Sequence, residues 1–248
     1  MEVLDPIRPR LSRLPGVVAA FSTRRGGAST APFASLNLGL RLAGEDEQVY
    51  GNLARFFGEF GIDPEQIATA EQVHGAGVAR VSTPGKYAGV DALVTDVTGL
   101  PLCIATADCA AVLLADPQAR AVGACHSGWR GTVANIVSNT VHEMTALGAE
   151  RGRIQAFVSP CISAANFEVG EEVAAQFDPR YVIRHESYAR PHVDLKAVLR
   201  DQMEDAGIPA PAMEFSPFCT VEHTDLFYSY RAEGGRTGRM LGFVMLAP

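Results

Sequence analysis

Gly123–Thr132 reads GACHSGWRGT. A strand that hands over to a helix needs a glycine and a cap at the turn. It has no use for a thiol, an imidazole, an indole and a guanidinium, yet Cys125, His126, Trp129 and Arg130 crowd this one. On the N-terminal side, AVGACH has the small and apolar composition of a buried strand. On the C-terminal side Val133, Ile136, Val137, Val141, Met144 and Leu147 keep to one helical stripe that Gly148 closes. The spacing predicts a strand, a turn bearing a site, and a helix over 131–147, so the chain mixes both element types.

The rest of the sequence repeats that mixture. GVVAAFS, QIATAEQV, VARVS, VDALVT, PLCIATA, AVLLAD, AVGACH, IQAFVS, LFYSY and MLGFVML read as strands bounded by Gly, Pro and Asp. A helix is expected between Glu45 and Gly61, with Leu53, Phe56 and Phe57 inward. Another is expected over DLKAVLRDQMEDAG, with Leu195, Val198, Leu199 and Met203 on one face. So many strands for so few helices suit packed mixed sheets with helices outside better than one doubly wound sheet. The class is α/β (α+β), and without a repeat, low-complexity tract or linker the whole of 1–248 reads as a single domain.

A chain of 248 residues with 47% hydrophobic content and a mean hydropathy of +0.07 supplies a full core and is not disordered. The net charge of −7 and pI near 5.4 argue against a nucleic-acid backbone or an anionic membrane as partner. No apolar run approaches the roughly 20 residues of a spanning helix. MEVLDPIRPRL lacks the apolar core of a signal peptide, so the cytoplasm is the expected location; a monomer is expected as well. Five cysteines with no closely spaced pair read as thiols rather than disulfides.

Six histidines permit a short search for metal donors. His142 falls off its helical stripe, His185 and His192 flank a tyrosine and a proline in a polar stretch, and all three are expected at the surface. His223, in CTVEHTDLF, is expected to cap a turn. His74 remains, in EQVHGAG at the end of a plausible strand, together with His126. Between them TADCAAVLLAD places Asp108 and Cys109 at the junction of two apolar runs. Neighbours on a strand face opposite sides, so if His126 points to a site then Cys125 points into the core, and Cys109 is the candidate donor. His74 and Cys109 are 35 positions apart and Cys109 and His126 are 17 apart, unlike the close pairs of a structural zinc site. Three donors with a fourth place open suit a catalytic zinc. They equally suit a blue-copper ion with a weak axial ligand, or a cysteine nucleophile with a histidine base.

Two glycine-rich loops carry guanidinium groups: STRRGGAST with Arg24 and Arg25, and EGGRTGRM with Arg236 and Arg239. Arg130 opens the helix of 131–147. Guanidinium forks and helix N-termini favour phosphate or carboxylate ligands, whereas any single arginine can equally staple a loop to carbonyl oxygens.

Taken in order, TRRGG, SLNLG, QVHG, ADC, HSGWRG and GGRTGRM resemble the laccase-domain family, from about Phe21 to Leu246. Its members have been described as multicopper polyphenol oxidases and as zinc-dependent purine nucleoside phosphorylases. The resemblance implies a single-domain layered α/β/β/α arrangement with mixed β-sheets. It implies His74, Cys109 and His126 as zinc ligands, with Arg24, Asn37 and Arg130 lining the pocket. It further implies phosphorolysis of adenosine, inosine or 5′-methylthioadenosine, with adenosine deamination as a second activity. In that chemistry Arg130 would help hold phosphate and Asp108 would orient a proton. Ser127 stands where the family usually has alanine, and Asn166 and Phe167 stand where Cys-Tyr is common; Cys161, five positions before Asn166, is no evident replacement.

Three other functions compete. A copper-binding polyphenol oxidase with several coppers needs many imidazoles, usually as H-x-H pairs, and none of the six histidines forms one. A Cys-His hydrolase acting on amide or cell-wall substrates would need no metal. A non-catalytic nucleotide-binding protein would keep the pocket without turnover.

Overall fold

A computed structural model describes residues 3–42 and 44–248; Met1 and Glu2, which open MEVLDPIRPRL, lie outside the described residues. The runs around Cys109 and His126 form β7 (Ala110–Asp116) and β8 (Ala121–Ser127), buried at every residue and paired antiparallel. They are the middle of a six-stranded sheet ordered β12 (Met213–Phe215), β9 (Gln155–Val158), β7, β8, β5 (Ala92–Thr95) and β3 (Val78–Arg80). Its outer pairs are parallel and the inner ones antiparallel. A five-stranded sheet is ordered β1 (Val17–Phe21), β13 (Met240–Leu246), β6 (Leu102–Thr106), β2 (Ala68–Ala70) and β4 (Gly85–Tyr87). There β13 runs antiparallel to both neighbours, and β2 runs parallel to both of its own. A short antiparallel pair, β10 (Val182–Ile183) and β11 (His192–Val193), stands apart.

Strand alternation sorts the side chains into layers. Ala111, Leu113 and Ala115 of β7 share a core with Phe21, Ile104 and Val244 of the five-stranded sheet. Ala110, Val112 and Leu114 face the other way, onto Ile136, Val141 and Met144 of α3 (Ile136–Thr145) and Leu199 and Met203 of α5 (Leu195–Asp205). On the far face of the five-stranded sheet, Leu53, Phe56 and Phe57 of α1 (Val49–Gly58) cover Ala20 and Phe243. The Phe57 and Phe243 ring centroids are 5.4 Å apart. The order is helix, sheet, sheet, helix, the layering that the resemblance implies. Each large apolar side chain buried in these layers contributes about 1.5–3 kcal/mol.

Three expectations need correction. The helix expected over 131–147 is two: α2 (Trp129–Val133) and α3, separated by Asn135 in the left-handed region at φ 57°. The break has a packing cause. Val133 turns toward a cluster containing Trp129, Ile162 and Phe167, whereas Ile136 and its successors face the six-stranded sheet. LFYSY is not a strand; Phe227 and Tyr228 are fully buried from a coiled segment whose Leu226 carbonyl accepts from the Arg24 amide at 2.8 Å. His192 is buried in β11, stacked on Tyr188 with centroids 4.0 Å apart, and donates from Nδ1 to the Ala164 carbonyl at 2.9 Å. The short strands Gly85–Tyr87, Val182–Ile183 and Met213–Phe215 carry no alternation long enough to read. A fourth short helix, α4 (Glu171–Ala174), was likewise not expected.

Candidate metal centre

The site is built where β2 gives up its ladder. After Ala70 the chain swings out through Gln72 at φ 61° and His74 at φ 62°, both in the left-handed region that non-glycine residues rarely enter. His74 therefore lies on a loop rather than at the end of a strand. Fully buried Asp91, directly before β5, holds this loop. Its Oδ2 accepts from the amides of Val73 and Gly75 at 3.0 and 2.7 Å, and its Oδ1 from the amide of His74 at 3.0 Å. The same Oδ1 accepts from His126 Nδ1 at 2.8 Å, which leaves Nε2 as the ring nitrogen that could coordinate an ion.

Cys109 ends the turn between β6 and β7, and His126 sits one residue from the end of β8. One donor atom from each of His74, Cys109 and His126 lies within 4.8 Å of the others. The two imidazoles meet edge to face, 4.9 Å apart at 84°. His126 is buried, Cys109 half-buried and His74 exposed, so the cluster opens on one side only. Burial opposes ionisation of Cys109, but His126 and His74 outweigh it and bring the thiol down to about 6. His126 is likewise opposed by burial and raised to about 9 by Cys109 and Asp91. A thiolate poised among imidazoles is the donor set of a borderline-soft ion. Cys125, one residue before His126, lies in the helix-facing core, where burial pushes its thiol up to about 12.

The glycines of HSGWRG now have their reason. A Cβ on Gly128 would lie 2.9 Å from Cys109 Sγ and 3.4 Å from His74 Cδ2. On Gly131 it would lie 2.9 Å from the carbonyl oxygen of Gly75. The turn must pass against the three donors and against the loop that carries His74, and only glycine leaves the room. Ser127 and Thr132 tie the turn together through their hydroxyls at 2.9 Å.

The cluster lies in the wall of a cavity of about 890 Å³, which also presents Tyr50, Trp129, Phe167, Tyr230, Arg231 and Arg239. Asp108 is there too, but both its carboxylate oxygens are engaged: Oδ1 accepts from Thr220 Oγ1 at 2.6 Å and Oδ2 from the Arg231 amide at 2.7 Å. Arg24 does not reach this wall. Its guanidinium donates to the carbonyls of Ala34 and Thr224 at 3.0 and 2.7 Å, pairs with Glu233 at 3.0 Å and lies over the Tyr228 ring. Asn37 is fully buried behind the wall. It donates to Asp46 at 2.9 Å and accepts from the amides of Gly39 and Arg239, so it shapes the pocket without lining it. Arg130 is exposed and stacks on Trp129, 4.2 Å above the ring, outside the cavity lining. Phe167 lines the cavity, while Asn166 donates to Glu222 at 2.6 Å; Cys161 is a fully buried thiol. Sequence reasoning missed Asp91 and Arg231. The signal for Asp91 was available, as a carboxylate opening the otherwise apolar VDALVT; Arg231 had none.

A family model described as multi-copper polyphenol oxidoreductase laccase matches residues 18–247. The chain belongs to this family. This laccase-family chain is 43% identical over 231 residues to a purine nucleoside phosphorylase of Deinococcus radiodurans, covering 92% of the chain and 88% of the relative. It is 34% identical over 240 residues to adenosine deaminase RL5 of an unknown prokaryotic organism, covering 90% and 91%. The crystal structure of YlmD from Geobacillus stearothermophilus superposes with a TM-score of 0.90 at 31% identity, covering 98% of the chain and 96% of that structure. Relatives carrying these two activities make the laccase-family chain an enzyme at the level of its family. Despite the family description, His74–Cys109–His126 is the one metal-capable group of three or more such side chains among the described residues. Among the same residues no helix is long and apolar enough to cross a membrane.

Proposed function

We propose that the protein is a purine nucleoside phosphorylase that carries one zinc ion on His74, Cys109 and His126, with adenosine deamination as a second activity of the same cavity. The carrying observation is a three-donor cluster, open on one side, in the wall of a cavity large enough for a nucleoside and phosphate together. The donors fit the ion: one thiol low enough to ionise, one imidazole oriented by a carboxylate, and one exposed imidazole. When bound, zinc would supply a Lewis acid for a substrate oxygen or nitrogen and would acidify water for the deaminase activity.

The remaining work falls to the chain. In phosphorolysis a phosphate oxygen bonds to C1′ as the bond from C1′ to the base nitrogen breaks; the base leaves with a proton and the sugar leaves as ribose 1-phosphate. Arg231 and Arg239 are the arginines among the lining residues and are assigned to phosphate in place of Arg24, with their forks anchored on the carbonyls of Asn166 and Glu168 and of Thr237 and Gly238; Arg130 acts only through Trp129, the ring that it covers. Tyr50, Trp129, Phe167 and Tyr230 offer aromatic faces to a purine and help to exclude water. Most of the rate enhancement then comes from placement and fixed charge. The test is product identification on adenosine and inosine with and without phosphate. Ribose 1-phosphate formed only with phosphate supports the reading; free ribose appearing equally fast in phosphate-free buffer overturns it.

One observation favours a second reading. Cys109, His126 and Asp91 stand in the order nucleophile, base and orienting carboxylate, which is the geometry of a cysteine hydrolase. Metal analysis separates the two: about one zinc per chain supports the phosphorylase, and active protein free of metal supports the hydrolase.

A further inference from the structure

The QVHG motif contains a residue that the reaction does not use. Gln72 lies in the cavity wall, yet its amide group is turned to the main chain of Ala105: Nε2 donates to the Ala105 carbonyl at 2.7 Å and Oε1 accepts from the Ala105 amide at 2.9 Å. The register explains why. β2 pairs with β6 at Ala68–Leu102 and Thr69–Cys103, then ends at Ala70. A continuing β2 would present a peptide group to Ala105. The main chain leaves instead, and the side-chain amide, which has the same donor and acceptor as a peptide, takes its place. The Gln72 amide meanwhile donates to the Val90 carbonyl at 2.9 Å, directly before Asp91.

We infer that Gln72 is a positioning residue for the metal centre: its side chain continues the β2–β6 ladder so that the loop bearing His74 is fixed to the strand that leads to Cys109. Asp91 ties the His74 loop to His126, and Gln72 ties it to the Cys109 segment. The most exposed of the three donors is thereby held at two independent points, Asp91 before β5 and Ala105 of β6. Two residues in the left-handed region within three positions persist only when their surroundings over-determine them, and these two ties do so.

The inference rests on the metal reading, and the test separates their failures. Zinc dissociation constants are measured by competition with a chromophoric chelator for the wild type, Gln72→Leu, His74→Ala and the double variant. Gln72→Leu weakens zinc roughly 10–100-fold, the usual effect of losing a group that orients a ligand. In the His74→Ala background it adds nothing, because it acts through His74. Wild-type affinity in Gln72→Leu, or an equal loss in both backgrounds, overturns the inference. If Gln72→Leu does not fold, Gln72→Glu keeps the bond from the Ala105 amide and loses the other, and a smaller but measurable loss is expected; none overturns it. The metal-free protein gives a second readout. Gln72→Leu speeds hydrogen exchange at the amides of Val73, His74 and Gly75 and leaves the β8 amides unchanged. Should the wild type bind no zinc, the metal reading fails, and unchanged loop exchange would still sink the brace.

Discussion

The six-stranded sheet carries one fully buried aspartate at each end, and the two use the same device for different purposes. Asp116, the last residue of β7, accepts from the amides of Gln118, Ala119 and Glu150 at 3.0, 3.1 and 2.9 Å and from the guanidinium of Arg153 at 3.1 Å. Asp91, at the opposite end, accepts from the amides of Val73, His74 and Gly75 and from the ring of His126. Burial penalises both carboxylates, and in both the hydrogen bonds outweigh it and lower the pKa. The difference lies in the partners. At the Asp116 end they belong to a turn and to a loop beside α3, and hold scaffold. At the Asp91 end the donors belong to the metal-capable cluster or to the loop that carries its His74, so a change of backbone there moves the cluster's side chains.

The comparison breaks first, and hardest, at Cys109. Cys109→Ser replaces a soft thiolate with a neutral hydroxyl, so zinc and turnover should both be lost while the melting temperature of the metal-free protein stays close to wild type. Cys125→Ser, one residue from His126 but in the helix-facing core, should keep zinc and most activity. Zinc content, activity and melting temperature on both decide it. Full zinc with no activity in Cys109→Ser would make Cys109 a nucleophile and favour the hydrolase reading. Next comes Asp91→Asn, which puts an NH₂ group among donors that need an acceptor. Zinc affinity should fall about 10–100-fold, and each orphaned buried donor should cost on the order of 1–3 kcal/mol in stability. Chelator competition and thermal melts on one preparation measure both; unaltered zinc affinity would put Asp91 in the same class as Asp116.

The two ends also differ in how much of them could be read beforehand. β7, β8 and β13 are continuous apolar runs, as strands buried on both faces are, and strand geometry alone then puts Cys125 on the face opposite His126. Two of the three donors are legible for a related reason: Cys109 and His126 interrupt such runs. What was not legible is everything that depends on chain crossing. Arg24 stands beside two glycines, as an anion-binding arginine would, but its partners Thr224 and Glu233 lie some two hundred positions away. Asn37 spends its amide on Asp46 and on the main chain of Gly39 and Arg239. Arg231, which does face the cavity, sits in no motif. The break at Asn135 was hidden because the apolar stripe is continuous even though it serves two different cores.

A smaller effect is expected at Gly128. Gly128→Ala places a methyl 2.9 Å from Cys109 Sγ, and that sulfur is a side-chain end able to move. The fold should therefore survive while the donor is displaced. Zinc affinity should drop by less than in Asp91→Asn, with the melting temperature of the metal-free protein held. Gly58→Ala, at the end of α1 with nothing within 4 Å of the new Cβ, is the matched control and should leave zinc untouched. Equal zinc affinity in the two variants would show that the turn has room that the wild-type packing does not display.

The smallest effect on the site, and the sharpest test of the comparison, is Asp116→Asn. Because its four partners are scaffold, zinc affinity and turnover should match wild type, while stability at neutral pH falls by about 1–3 kcal/mol as buried amides and Arg153 lose a charged acceptor. The pH dependence fixes the cause. Asp116 has a lower pKa folded than unfolded, so between the two values the unfolded chain binds more protons and stability declines as pH falls. Its contribution is complete above the ordinary carboxylate value of about 3.9 and is lost as pH drops through the lower folded value. The gap in melting temperature between wild type and Asp116→Asn should therefore be widest near neutrality and close on acidification below that value. A gap that stays constant to low pH would mean that the charge of Asp116 contributes nothing. A loss of zinc in this variant would mean that the two ends of the sheet are coupled.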